Sequence, residues 1–452
     1  MPSSAFRSLR AIWEDTFAPV LTRPGFANLV VIATGWVLTR GPHAVTEALV
    51  QTGVAGRRHH EAFHRFFSRG TWDPDRLGLW VWWRLKSTFN IAGVVRIVID
   101  DTLAAKKGPG VFGIGSHLDA VRSTKRRKVF CFGHCWVVLC VLVSIPFSTR
   151  TWALPVLFRL YRTEKDCARQ GVPRRKKTEL AREMIDVFCS WVEDLRIELS
   201  ADSAYCNDTV TRGLPERVVL FGAMRPDAVL TEPPSAVDHN GKGGRPRKRG
   251  QLLRKPQQLA RDGRTPWSTT EAVLYGRKKT VRFKTVCAQW YRATGTRLVR
   301  IIVVATDSDA LPYRAFLCFD TKLEVRKVLE TYAGRWGIEV FFRDAKQLLG
   351  FADSQARKEA AVLRVAPLVG LLYSTLVIWF VQDNVYRSPI ATPPLRPWYG
   401  HKVGLCFADV LRAAQRSLAR IEVLAPCNDL GNLHQPANSS RRRGVRALDT
   451  AA

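Results

Sequence analysis

Four apolar runs between residues 94 and 202 constrain the fold of this chain more than any other feature. Three of them are VVRIVID from residue 94, VFCFGHCWVVLCVLV from 129 and TWALPVLFRLYR from 151. They are rich in β-branched and aromatic residues, which is typical of buried strands. The segment 178–195 then has helical spacing of its apolar residues, and RIELSAD from 196 is a fourth strand. The pattern predicts an α/β domain built on a central sheet.

The order strand, strand, strand, helix, strand opens an RNase H-like α/β fold. We therefore predict an RNase H-like catalytic core whose first part covers residues 91–206 and whose second part, with a long helix, covers 326–384. The segment 207–325 contains strand-like runs and a turn-rich basic stretch, and we expect a β-rich insertion there. Residues 385–452 form a C-terminal region that ends in a basic tail with the composition of a disordered segment.

Residues 1–90 have the three-to-four spacing of apolar positions that is typical of helices. Within them, residues 44–69 resemble a helix-turn-helix, with a turn at Gly53 and a second helix that opens with Arg57, Arg58, His59 and His60. Cations at a helix N-terminus oppose the helix dipole, so their position is explained if they face DNA. A plain helical hairpin is the alternative. We predict that residues 1–90 are a helical DNA-binding domain.

The charge of the chain is strongly unbalanced, with 70 Lys and Arg against 39 Asp and Glu and a net charge of +31. Such an excess favours a polyanionic partner, nucleic acid first and an anionic membrane surface second. The apolar run 366–381 is short for a membrane span and indicates a core helix. The ten Cys are scattered without the pattern of an extracellular disulfide framework. We expect a cytoplasmic protein that binds DNA and has no membrane segment.

The segment YAGRWGIEVFFRDAKQLLG, residues 332–350, predicts an amphipathic helix with an unusual polar face. At about 100° per residue, its polar side chains fall within roughly 60° of one another, and they are Tyr332, Arg335, Glu339 and Lys346. The apolar residues lie on a nearly opposite arc and form a core stripe. One carboxylate between two cations indicates a functional site. Ion pairs within the helix are the alternative for Arg335 and Lys346.

Three acids are expected to converge at one edge of the sheet. Asp100, or its neighbour Asp101, ends the first strand, Asp202 ends the fourth, and Glu339 lies on the helix described above. Converging carboxylates repel one another unless a cation lies between them. Their hard oxygen ligands favour Mg²⁺ or Mn²⁺. The acids therefore predict a two-metal site of the kind that cleaves phosphodiesters.

The motifs IDDT, LSAD and YAGRWGIEVFFRDAK together resemble the DDE class of bacterial insertion-sequence transposases. They resemble in particular the group with a Y-(2)-R-(3)-E-(6)-K signature, whose four positions are matched here at the required spacings. The resemblance spans residues 91–382. It implies an RNase H-like core and metal-dependent cleavage and joining of DNA.

The resemblance also implies a metal ligand set of Asp100, Asp202 and Glu339, holding two Mg²⁺ ions for which Mn²⁺ can substitute. The identity of the first acid has two readings. The D-x-T pattern of the group gives Asp100, which Thr102 follows two residues later. An Asp directly before Thr favours Asp101 instead. Asp100 is the preferred assignment.

Further residues are expected to contact DNA. The resemblance implies that Arg335 and Lys346 bind phosphates beside the scissile bond and that Tyr332 contacts the transposon end. Trp290 in the insertion would stack on a flipped base, as an aromatic residue does in relatives, or would simply be buried in a β core. The segment GGRPRKRG, residues 243–250, offers Arg245 and Arg247 to the minor groove or to phosphates in general.

These features predict a DNA transposase that binds terminal inverted repeats, cleaves phosphodiesters with Mg²⁺ and joins the freed end to target DNA. A non-catalytic DNA-binding protein derived from a transposase is one alternative, and a nuclease that cuts without joining is another. The resemblance further implies a homodimer in the synaptic complex and a place in the bacterial cytoplasm, associated with the nucleoid.

Overall fold

The structure is a computed structural model, and it describes residues 4–108, 110–124, 126–234, 247–308, 311–394, 397–399 and 404–419. The predicted basic tail lies outside the described residues, and so does Arg245 in the predicted basic loop. The predicted C-terminal region is therefore described only up to residue 419.

Five α-helices precede the first strand of the described chain, and four α-helices follow the last strand. The helices are α1 Ser4–Phe17, α2 Arg23–Leu38, α3 Val45–Gln51, α4 Glu61–Ser68, α5 Pro74–Thr88, α6 Glu164–Gln170, α7 Lys177–Trp191, α8 Asp208–Thr211, α9 Pro256–Arg261, α10 Tyr291–Thr294, α11 Val325–Ala333, α12 Trp336–Leu348, α13 Glu359–Gln382 and α14 Phe407–Leu418. The strands are β1 Val94–Ala105, β2 Gly115–Leu118, β3 Phe130–Ser144, β4 Thr151–Tyr161, β5 Arg196–Ala201, β6 Val218–Met224, β7 Leu230–Thr231, β8 Leu252–Leu253, β9 Ser268–Leu274, β10 Arg277–Gln289, β11 Leu298–Ala305 and β12 Tyr313–Cys318. Three short 3₁₀ helices follow α13, at Val385–Arg387, Pro389–Ala391 and Pro397–Tyr399.

The strand order of the core confirms the predicted RNase H-like α/β fold. Strand β1 is central, pairs antiparallel with β3 on one side and pairs parallel with β5 on the other. Strand β4 pairs with the outer edge of β3, and β6 pairs parallel with β5. The order across the sheet is β4-β3-β1-β5-β6, and α7 comes between β4 and β5 along the chain. Strands β3 and β4 are apolar along most of their length because both of their faces are buried.

The register of β1 and β5 positions two of the predicted acids. The last aligned pair is Ile99 with Ala201, so Asp100 and Asp202 are the next residues on the two parallel strands. Strand β5 ends there, whereas β1 continues to Ala105 along β3. Because parallel strands end at the same edge of a sheet, both acids lie at the carboxyl edge of β5.

The predicted insertion is rich in strands, but the core sheet extends into it. Strand β6 lies within the range 207–325, yet it pairs with β5 and completes the parallel part of the sheet. Strand β12 then pairs antiparallel with β6, and β11, β10, β7 and β8 continue the same sheet. The strand-rich segment is thus an extension of the core sheet, and its first strand belongs to the core.

The N-terminal region is helical, as the sequence predicts, and it packs directly on the core. Trp13 and Trp82 belong to the same hydrophobic core as Ile99 of β1 and Phe341 of α12. The indole Nε1 of Trp13 donates to the hydroxyl of Thr375 at 3.2 Å. Within the described residues, the core is therefore continuous across the predicted boundary at residue 90.

The helix-turn-helix prediction differs from the structure in its connection. Helices α3 and α4 are separated by residues 52–60, whereas the turn of such a motif has about three or four residues. Helix α4 begins at Glu61, so the prediction that Arg57 and Arg58 open a helix is wrong. Both lie in the preceding turn, where their backbone N–H groups donate to the carbonyl of Val54 at 3.0 and 3.3 Å.

The predicted helix through residues 332–350 is interrupted. Helix α11 ends at Ala333, and α12 begins at Trp336 after a turn at Gly334 and Arg335. The interruption brings the start of α12 against β4, where a Cβ at Gly337 would lie 3.0 Å from the carbonyl oxygen of Thr151. Arg335 therefore lies between two helices and not within one continuous helix.

Helix α13 is the long core helix that the sequence predicts. By length and apolar composition alone it is the one helix in the described residues that could cross a membrane. In its most apolar window 89% of the residues are buried inside the protein. Its side chains pack against β4, α5 and the N-terminal helices, which accounts for its apolar composition.

Candidate active site

A single guanidinium group links two of the three predicted acids. Arg335 Nη1 lies 2.9 Å from Oδ2 of Asp100, and Nη2 lies 2.7 Å from Oε1 of Glu339. Only 15% of the Arg335 side chain is exposed, compared with 35% for Glu339. Burial by itself would lower the pKa of Arg335, but Tyr332, Asp100 and Glu339 outweigh it and raise that pKa. The Arg335 cation is therefore fixed between β1 and the first turn of α12.

Asp100 and Asp202 lie close enough to repel each other. Burial and the negative charge of Asp202 raise the pKa of Asp100 to about 7, although Arg335 acts in the opposite direction. Oδ1 of Asp202 accepts the backbone N–H groups of Ala204 and Tyr205, at 2.8 and 3.3 Å, and so caps the turn after β5. Asp100, Asp202 and Glu339 are three carboxylates beside one guanidinium, so the charge of Arg335 alone does not neutralise them.

Asp101 lies on the opposite face of β1 and has three partners of its own. Its Oδ1 accepts the Tyr205 hydroxyl at 2.7 Å, and its Oδ2 accepts Nζ of Lys177 at 2.6 Å and the Cys135 thiol at 3.3 Å. Successive residues of a strand point to opposite faces, which separates Asp101 from its neighbour Asp100. Asp101 thus joins β1, β3 and α7 in a satisfied hydrogen-bond network.

Among the residues that the structure describes, no group of three or more His, Cys, Asp or Glu lies close enough together to hold a metal ion. In this arrangement Asp100 and Glu339 are both paired with the guanidinium of Arg335. The donor set itself suits a hard divalent cation, because all three predicted ligands are carboxylates. The mutual repulsion of Asp100 and Asp202 also fits a site that a cation would stabilise.

Tyr332 is brought to the same place as Arg335. Its ring packs against Phe316 with ring centroids 4.8 Å apart, and the guanidinium carbon of Arg335 lies 5.8 Å from its centroid. Burial raises the pKa of Tyr332 to about 12. The turn at Gly334 therefore still leaves Tyr332, Arg335 and Glu339 as neighbours.

Lys346 lies on α12 seven residues after Glu339, which is about 10.5 Å along the helix axis. It is half-buried and forms no hydrogen bond or ion pair with any residue in the described part of the chain. Burial lowers its pKa, and the negative charge of Asp119 opposes that shift. Lys346 lines a cleft of about 500 Å³ with Arg40, Arg412 and Asp353, and Oδ2 of Asp353 lies 3.5 Å from Nδ1 of His43. A partly desolvated ammonium beside two arginines suits an anionic ligand.

Trp290 is half-buried and packs against the main core, and no hydrogen bond or ring contact joins it to the three acids in the described structure. Its carbonyl accepts the N–H groups of Ala293 and Thr294 and begins α10. The guanidinium carbon of Arg249 lies 4.9 Å from the ring centroid of the next residue, Tyr291. The end of the predicted basic loop thus lies beside Trp290.

The other predicted DNA-binding arginines that the structure describes lie in connecting segments. Arg247 is exposed and is the first described residue of the predicted basic loop. Arg57 is exposed in its turn, and the guanidinium carbon of Arg58 lies 5.0 Å from the ring centroid of Phe63.

The sequence analysis missed two groups of residues near the site. Lys177 and Tyr205 are the partners of Asp101, and no sequence pattern connects positions 76 and 104 residues away from it. Trp336 and Tyr275 form an exposed aromatic pair with ring centroids 6.3 Å apart. Trp336 could have been found from the sequence, because it directly follows Arg335. Tyr275 could not, because no sequence pattern shows that the β9–β10 turn approaches Trp336.

Comparison with known proteins gives a family. The sequence family described as "DDE superfamily endonuclease" matches residues 16–294, well over half of the chain. The match includes Asp100 and Asp202 and ends before α11 and α12. No curated protein matches the sequence.

Among solved structures, the chain is similar to the piggyBac transposase in its synaptic complex with hairpin DNA. The TM-score is 0.44 at 11% sequence identity, covering 92% of this chain and 74% of that one. Because the sequence match covers more than half of its residues, the chain belongs to the DDE superfamily endonuclease family.

Proposed function

We propose that this protein is a DNA transposase that cleaves and joins phosphodiesters with Mg²⁺, and that Asp100, Asp202 and Glu339 are its catalytic acids. One observation carries the proposal. Asp100 and Asp202 each directly follow the last aligned pair of the adjacent parallel strands β1 and β5, and a single guanidinium connects Asp100 to Glu339. Membership of an endonuclease family supports the same assignment.

Asp100, Asp202 and Glu339 would hold the divalent ions. When bound, such ions activate the attacking oxygen and stabilise the leaving oxygen of a phosphodiester. The residues of the chain supply the rest. Glu339 becomes available as a ligand when its ion pair with Arg335 opens, and Arg335 is then free to bind a phosphate beside the scissile bond.

Asp100 is the first acid in this proposal, and Asp101 is the alternative. The environment of Asp101 supports this choice, because its two oxygens already accept hydrogen bonds from Tyr205, Lys177 and Cys135. A carboxylate with three donors has little capacity left for a metal ion. Asp100 faces Asp202, whereas Asp101 faces α7.

The DNA substrate would extend along α12 from Glu339 to Lys346. The half-buried ammonium of Lys346 and the cations of its cleft support a phosphate at that distance from the scissile bond. Tyr332 would contact the transposon end beside Arg335. The net charge of +31 supports binding of terminal inverted repeats and target DNA, and we propose a homodimer for the synaptic complex.

The experiment that tests this function uses the full chain and a labelled duplex that carries the inverted repeats flanking its gene. We expect strand cleavage at the repeat ends in Mg²⁺ or Mn²⁺, none in EDTA, and joined products when a target plasmid is added. Cleavage without joined products would favour the nuclease alternative. Tight binding without cleavage in either metal would favour the non-catalytic alternative and contradict the proposal.

A further inference from the structure

A basic hairpin lies next to the candidate active site, and the proposed function gives it no role. We define the basic hairpin as β2, the connecting residues 119–129 and residues 130–133 at the start of β3. Its connecting segment carries four exposed cations in its described part. These are Arg122, Arg126, Arg127 and Lys128. One acid, Asp119, lies within the same segment.

One face of the basic hairpin is apolar and exposed. Phe130 and Phe132 are 64% and 65% exposed, and Leu118 is 47% exposed. Leu118 pairs directly with Phe130, and Phe132 follows Phe130 by two residues, so the three side chains share one face. Two neighbouring phenylalanines with most of their surface in water indicate a contact surface.

The opposite face of the basic hairpin contacts β4, and hydrogen bonds join its two strands. The hairpin is therefore an ordered element, and its aromatic face is exposed as part of that element. The ring of His117 lies 5.8 Å from that of Tyr161 on β4, centroid to centroid. Asp119 Oδ1 accepts the N–H groups of Val121 and Arg122, each at 3.1 Å. The Asp119 N–H donates to the carbonyl of Val129 at 2.9 Å and closes the two strands.

The position of the basic hairpin relates it to the acids. Gly133 pairs with Ala105, five residues beyond Asp100 on β1, which is about 17 Å along the strand. The hairpin continues in that direction, away from the carboxyl edge of β5. Phe132 lies on the same face of β3 as Val138, the residue opposite Asp100, so the apolar side chains of the hairpin and Asp100 lie on the same face of the sheet.

We propose that the basic hairpin binds the DNA next to the cleavage point. Its arginines contact backbone phosphates, and the face formed by Leu118, Phe130 and Phe132 packs on bases that are unstacked there. DNA is the occupant that fits, because the apolar face is bordered by cations, and β-ribbons that bear apolar wedges are known to engage DNA grooves and steps. The inference deepens the proposed function and rests on it.

The charge part is tested by binding in EDTA, so that the result does not depend on cleavage. Arg126→Gln combined with Arg127→Gln should reduce the slope of log affinity against log salt by about 1.8, the value for two phosphate contacts. The matched control is Arg314→Gln with Lys322→Gln, two exposed cations on and after β12, five strands away from β2 in the sheet. Equal slopes for the two variants would overturn the proposal, even if the wild-type protein cleaves DNA.

The aromatic part is tested with a forked duplex that carries 2-aminopurine at the unpaired positions. Wild-type protein should change its fluorescence, and Phe130→Ser with Phe132→Ser should abolish that change and weaken binding about tenfold. Thermal melting verifies that the variant is folded. We expect it to be folded because both substituted side chains are exposed. An unchanged fluorescence response would contradict base contact. A change in mass by light scattering, with DNA binding intact, would assign the face to a second copy of the chain and overturn the proposal.

Discussion

The two neighbouring acids of β1 have opposite surroundings. Asp100 shares its face with Asp202 and has one cationic partner, Arg335, which it shares with Glu339. Asp101 has a phenol, an ammonium and a thiol as donors, so its charge is satisfied by the protein itself. The pKa of Asp100 is raised to about 7 by burial and by Asp202, which marks an acid that the protein alone leaves under-stabilised.

The comparison teaches how a structural acid and a candidate metal ligand differ within one dipeptide. On the Asp101 face, removing a group should cost stability because a closed network opens. On the Asp100 face, removing a carboxylate should cost little stability, because it relieves repulsion, and should abolish the proposed chemistry. The predictions below separate these two faces by measuring cleavage and stability together.

The largest effect is expected on the Asp100 face. Asp202→Asn and Glu339→Gln should each abolish Mg²⁺-dependent nicking of the repeat duplex while DNA binding is retained, because each removes a proposed ligand. The Asn at 202 can still accept the two turn N–H groups, so the fold should survive. Glu193→Gln, an exposed acid before β5, is the matched control and should cleave normally. Near wild-type nicking by either active-site variant would exclude that acid.

A smaller effect is expected at Lys346, which lies on α12 seven residues after Glu339. Lys346→Ala should lower single-turnover cleavage on the order of 10²-fold through loss of positioning, with an unchanged melting temperature. Lys346→Arg should recover part of the loss, because the charge remains while the geometry changes. A normal cleavage rate, or a loss explained wholly by unfolding, would make Lys346 an ordinary surface lysine.

The smallest effect on cleavage is expected on the Asp101 face. Lys177→Met should lower the free energy of unfolding by about 1–2 kcal/mol, the usual value for one charged hydrogen bond discounted for partial exposure. Cleavage per folded molecule should stay close to wild type. Lys165→Met on α6 is exposed and should change neither quantity. Urea unfolding with parallel nicking assays measures both, and a dead but stable Lys177→Met would contradict the assignment of this face.

Sequence patterns predicted the core strands well, because strands buried on both faces must be apolar along their whole length. The runs from residues 94, 129, 151 and 196 became β1, β3, β4 and β5 in the expected order. That order also places Asp100 and Asp202 directly after the last aligned pair of β1 and β5, at one edge of β5.

The contacts that distinguish Asp100 from Asp101 were out of reach of the sequence. They depend on partners far along the chain, such as Tyr205 at 104 residues and Arg335 at 235 residues. The break before α12 was also missed, because a two-residue turn at Gly334 and Arg335 leaves the apolar periodicity nearly intact. The packing of the N-terminal helices on α13 was missed because amphipathic helices do not specify which surface covers them.

The measurement that tests the central claim most directly compares Asp100→Asn with Asp101→Asn, with nicking and unfolding measured on the same samples. The account predicts that Asp100→Asn is inactive and at least as stable as wild type. It predicts that Asp101→Asn cleaves within about tenfold of wild type and loses about 1–3 kcal/mol of stability. An active Asp100→Asn beside a stable but inactive Asp101→Asn would contradict it and move the first catalytic acid to Asp101.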